Sequence, residues 1–69
     1  MRMNELNLPR SEIVRLTEEW VMVVRNKNIF YMKLDGYTYE EVAEEFNLSV
    51  QQTKVIVRDC LERIAKHIN

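Results

Sequence analysis

Thr38-Tyr39-Glu40-Glu41 and Ser49-Val50-Gln51-Gln52 are two boxes of one design, a hydroxyl residue followed three places later by Glu or Gln. In such a box the hydroxyl accepts the amide of the fourth residue while the fourth side chain accepts the amide of the first, so each box marks a helix start. Tyr39, Val42, Ala43 and Phe46 lie between the two starts, spaced to form one buried face of a short helix. Asn47 follows, the non-glycine residue best suited to the left-handed conformation that ends a helix. A helix over 38–46, a tight break and a second helix over 49–67 are therefore expected, with Glu40, Glu41, Glu44 and Glu45 largely outside the buried stripe of the first.

In the second helix Thr53, Ile56, Val57, Cys60, Leu61, Ile64 and Ile68 fall on an inner face. At about 100° per residue, Gln51, Lys54, Val55, Arg58 and Glu62 gather on the opposite one. Upstream, Ile13, Leu16, Trp20, Val24, Lys27, Tyr31 and Leu34 recur at steps of three and four, so 10–35 reads as an amphipathic helical region closed by Gly36. The polar patch Arg25-Asn26-Lys27-Asn28 is a candidate break, but no Pro or Gly enforces one, and one helix or two both remain open. Residues 1–9 show no period and read as a flexible arm.

Only one Gly and one Pro occur among 69 residues, with 46% hydrophobic and 30% charged side chains, which fits a single small all-α domain. One cysteine forms no internal disulfide, and no Cys/His cluster has metal-ligand spacing, so neither a metal nor any other cofactor is expected and a reducing cytoplasmic setting is. Cys60 itself reads as an inert buried thiol. The longest apolar run, Trp20 to Val24, is far too short to span a membrane. It is nevertheless apolar all the way round a helix, so something should cover its other side: a homodimer through Trp20, Val21, Val23 and Val24 is expected, with a contact from the N-terminal arm or the last helix of the same chain, or a polymerase surface, as the alternatives. His67 has no base or nucleophile near it in the pattern and reads as a packing residue, so no catalysis is expected.

The net charge of −1 conceals a polarised chain. Residues 1–34 carry six basic and four acidic groups, 35–46 carry five acidic groups and no basic ones, and 47–69 carry four basic and two acidic groups. The helix-break-helix plan, with a small residue at Ala43 where the second helix would cross, an apolar plug at Leu48 and a polar N-terminal face on the second helix, is that of a helix-turn-helix.

The run KNIFYMKLDGYTYEEVAEEFNLS, with the later Cys60-Leu61 and Ile64 spacing, resembles region 4 of bacterial sigma factors, the domain that reads the −35 promoter element. The resemblance covers roughly 27–64, and the response-regulator type of helix-turn-helix is its near neighbour. Asn47 stands where a turn glycine is usual, the recognition helix is less basic than is common, and nothing corresponds to the sigma region that binds the −10 element. What the resemblance implies is a free-standing, region-4-like transcription regulator that binds duplex DNA through Ser49, Val50, Gln51, Gln52, Lys54, Val55 and Arg58. An amide such as Gln51 matches adenine N6 and N7 in the major groove, Val55 can pack on a thymine methyl, and Lys54 and Arg58 suit phosphate, with Arg58 also able to reach a guanine if the helix lies deep. Gln52 has two readings, a base reader or the capping partner of Ser49. The alternative function is a protein-interaction module that binds RNA polymerase or a sigma factor and has little affinity for DNA, as the acidic first helix would suit.

Overall fold

The computed structural model describes residues 7–68, which form four helices and, among those residues, no strand: α1 (Arg10–Trp20), α2 (Val24–Leu34), α3 (Tyr39–Phe46) and α4 (Val50–Ala65). The domain is all-α, as composition and periodicity indicate. Residues 1–6 of the expected arm lie outside the described region. Residues 7–9 belong to the fold, since Leu8 packs against the core and the Pro9 carbonyl accepts the amides of Glu12 and Ile13 at 3.1 Å each, opening α1.

The helical region 10–35 is two helices, and the break falls at 21–23 rather than at Arg25–Asn28. Val21 and Val23 are extended (φ −103°, ψ 108° and φ −81°, ψ 116°), a conformation that β-branched side chains accept readily. Leaving the helix lets Val21 enter the core at 4% exposure. The polar patch needs no break, because it occupies the first turns of α2 where much of it faces solvent. Arg10 pairs with Asp35, and Glu18 accepts from the Tyr31 hydroxyl at 2.5 Å and faces Lys27 Nζ at 3.4 Å. These links run in opposite order along α1 and α2, so the two helices form an antiparallel hairpin. Burial and the Glu18 carboxylate push the Tyr31 phenol up to about 12, while the phenol's hydrogen bond holds Glu18 below the usual carboxylate range.

Two helices end in the same way. At the end of α2, Gly36 is left-handed (φ 96°), its amide reaches the Lys33 carbonyl at 3.1 Å, and Tyr37 reaches Met32 at 3.2 Å. At the end of α3, Asn47 is left-handed (φ 55°, ψ 46°), and the amides of Asn47 and Leu48 reach the carbonyls of Glu44 (3.3 Å) and Ala43 (2.9 Å). Both patterns satisfy carbonyls that a helix end leaves open. Because asparagine carries a Cβ that strains this conformation, Asn47→Gly is expected to leave the melting temperature unchanged or raise it. A clear drop on thermal denaturation would show that the Asn47 side chain contributes more than its backbone shape.

α4 lies against all three other helices and supplies Thr53, Val57, Cys60, Leu61 and Ile64 to a core completed by Ile13, Leu16, Val21, Ile29, Phe30 and Val42. The two polar groups sealed in it are satisfied locally: the Thr17 hydroxyl donates to the Ile13 carbonyl (2.7 Å) and the Thr53 hydroxyl to the Ser49 carbonyl (2.9 Å). Cys60 is buried as well, and burial pushes its thiol up to about 11, which keeps it protonated and unreactive at neutral pH.

Candidate nucleic-acid interface

Both capping boxes form. The Thr38 hydroxyl accepts the Glu41 amide at 3.1 Å and the Glu41 carboxylate accepts the Thr38 amide at 2.9 Å. That backbone hydrogen bond holds Glu41 below the usual carboxylate range. Ser49 and Gln52 repeat the exchange at 3.1 and 3.0 Å. The three residues between α3 and α4 are thus held by hydrogen bonds at both ends, which fixes the direction in which α4 leaves the turn.

Gln52 performs the capping role: its side-chain carbonyl accepts the Ser49 amide, and the Ser49 hydroxyl accepts the Gln52 amide. To read an adenine as well, the same carbonyl would have to serve both the cap and a bidentate pair. Gln51, Lys54 and Arg58 are exposed on the outer face of α4, while Val50 and Val55 are half-buried beside them. Of the two glutamines, Gln51 is the one whose amide makes no side-chain hydrogen bond within the described residues.

Three further side chains adjoin this face that sequence reasoning did not assign to it. The Lys33 ammonium, from the last turn of α2, lies 4.2 Å from the centre of the Tyr39 ring and donates to the Tyr37 carbonyl at 2.8 Å. The Lys54 ammonium lies 5.6 Å from the same ring centre. Tyr39, expected on the buried stripe of its helix, is thus a half-buried aromatic surface shared by two cations. Arg25, in the first turn of α2, lines a groove with Leu48, Gln51, Gln52, Val55 and Ile56. Lys33 and Arg25 stand far from α4 in the chain, so no local spacing links them to it; the positive balance of 1–34 was the one available signal.

The charges divide accordingly. Among the described residues Arg10, Arg15 and Lys27 are ion-paired with Asp35, Glu12, Glu19 and Glu18 on the α1–α2 side. Among the same residues Arg25, Lys33, Lys54, Arg58, Arg63 and Lys66 have no carboxylate within ion-pair distance; the first four adjoin the outer face of α4, and Arg63 and Lys66 lie near its C-terminal end beside Trp20 and His67. Glu40, Glu44 and Glu45 are exposed on α3.

The expected self-association residues separate. Val21 is part of the chain's own core, and Trp20 stacks on His67 with ring centres 3.6 Å apart and planes 1° from parallel. His67 is thus a packing residue that ties the end of α1 to the turn after α4. Val23 and Val24 are exposed (53% and 65%), as is Met22 (70%), which sequence reasoning left out of the set.

No group of three or more potential metal ligands occurs among the described residues, and no described helix is long and apolar enough to cross a membrane. Compared with protein-family models, with curated proteins and with solved structures, the chain has no match.

Proposed function

We propose that this chain is a helix-turn-helix regulator of transcription that lays α4 in the major groove of duplex DNA. The reading assigns it binding and no catalysis, and a cytoplasmic setting. The observation that carries it is a cluster of cations: Arg25, Lys33, Lys54 and Arg58 adjoin the outer face of α4, and none of them is in an ion pair among the described residues. Free ammonium and guanidinium groups provide the salt-dependent attraction to phosphate on which duplex binding rests. Gln51 then reads a base edge, and Lys54, Arg58, Lys33 and Arg25 hold the backbone. Selection of bound duplexes from a randomised pool, followed by titration at several salt concentrations, tests this reading. A protein that is folded yet selects nothing defeats it.

The exposed acidic face of α3 and the net charge of −1 favour a second reading, a module that docks on RNA polymerase or on a sigma factor. Retention of polymerase subunits by the immobilised protein in the absence of DNA is its test.

Dimerisation belongs to the first reading, since a two-fold regulator spans two half-sites. Met22, Val23 and Val24 support it as three consecutive exposed apolar residues at the end of the α1–α2 connection and the start of α2. Replacing Val23 and Val24 with Ser is expected to shift the protein towards monomer in analytical ultracentrifugation without lowering its melting temperature, because neither side chain is in the core. A parent protein that sediments as a monomer at high concentration contradicts the dimer.

A further inference from the structure

Leu48, Val55 and Ile56 provide the apolar part of a groove of about 330 Å³ whose polar lining is Arg25, Gln51 and Gln52. No carboxylate lines it, and the Arg25 guanidinium has no ion-pair partner among the described residues, bonding only the neighbouring Asn26 side chain at 3.3 and 3.2 Å. An apolar surface beside an unpaired cation suits a ligand that is greasy at one point and anionic nearby. A thymidine unit of duplex DNA has that chemistry: a C5-methyl group in the major groove and a phosphate on the strand carrying it.

The groove is built before any ligand arrives. Leu48 is anchored through its amide to the Ala43 carbonyl, the Ser49–Gln52 box fixes the start of α4, and Val55 and Ile56 follow one turn later. Gln51 and Val55 are four residues apart, one turn of the helix, so an amide reading one base pair stands beside an apolar surface at a neighbouring one.

We infer that this groove recognises the C5-methyl group of a thymine next to the base pair read by Gln51, making Val55 and Ile56 determinants of specificity. The inference rests on the DNA-binding reading and adds to it a chemical distinction, thymine from uracil, that hydrogen bonds to base edges do not make, because the two bases differ only by the methyl group.

Deoxyuridine substitution tests it on the intact protein. Each thymine of the best duplex from a randomised pool is replaced in turn, which removes one methyl group and no hydrogen-bonding group. At one position binding is expected to weaken about fourfold, the effect of losing one buried methyl. Val55→Ala should bring that ratio towards one, and Val55→Thr, similar in shape but carrying a hydroxyl, should also reduce it, with its melting curve measured beside the parent's to separate loss of the methyl contact from loss of fold. Gln51→Ala should leave the ratio in place while relaxing the adjacent base pair. If every deoxyuridine duplex binds as its parent does and binding stays salt-dependent, the methyl site is wrong and the DNA reading survives. If folded protein binds no duplex at any salt concentration, the DNA reading falls and takes this site with it.

Discussion

Ala43→Leu is expected to destabilise the domain by roughly 1 to 3 kcal/mol, the usual cost of forcing extra methylene groups into a packed site. Ala43 is 4% exposed on α3, the helix that packs against α4 next to the turn. Its carbonyl also accepts the Leu48 amide, so the residue sits where α3 ends and the chain reverses. A leucine there must push α4 outward or strain the turn that aims it. Urea or thermal unfolding measures the loss, and an unchanged transition would contradict close approach of α3 and α4 at this residue. Because the turn also sets the direction of α4, the variant should lose duplex affinity under conditions where it is still folded.

Gln51→Ala should cost about 1 to 3 kcal/mol on the preferred duplex and relax the preference at one base pair, as expected for removing a bidentate contact to a base. Lys54→Ala should instead weaken all duplexes alike and reduce the salt slope by about one, since an ammonium acts on the backbone as a point charge. Gln52→Ala provides the contrast. With its carbonyl engaged by Ser49, it should lower the melting temperature by loosening the start of α4 and leave base preference unaltered. Titrations of matched and mismatched duplexes with the three variants, beside their melting curves, separate reader, phosphate contact and cap. Equal discrimination by Gln51→Ala and the parent would remove the amide from the reading face.

Local chemistry made the α3–turn–α4 unit legible in advance. Thr38 with Glu41, Asn47, and Ser49 with Gln52 each perform a task completed within a few residues, and each performs it in the structure. The outer face of α4 was legible for the same reason, because helix geometry alone places Gln51, Lys54 and Arg58 together. What was not legible depends on how distant segments meet. Val21 leaves its helix to enter the core, a choice that the periodicity of 10–35 does not record and that removes it from the expected dimer surface. Arg25 and Lys33 reach α4 only because α2 packs beneath it, and Tyr39 becomes a shared surface for two lysines only once α2, α3 and α4 are assembled. The choice between capping and reading at Gln52 was open in sequence because one amide suits both tasks; the structure shows the capping task performed.

The most direct measurement is the affinity of the intact protein for its selected duplex as a function of salt. With Arg25, Lys33, Lys54 and Arg58 each neutralising one phosphate, the logarithm of the association constant should fall with the logarithm of salt concentration at a slope of about −3.6 per protomer. Each removed cation should make that slope shallower by about 0.9. Binding that is absent, or that persists without change as salt is raised, would contradict the proposal that α4 and the free cations around it form a DNA-binding surface.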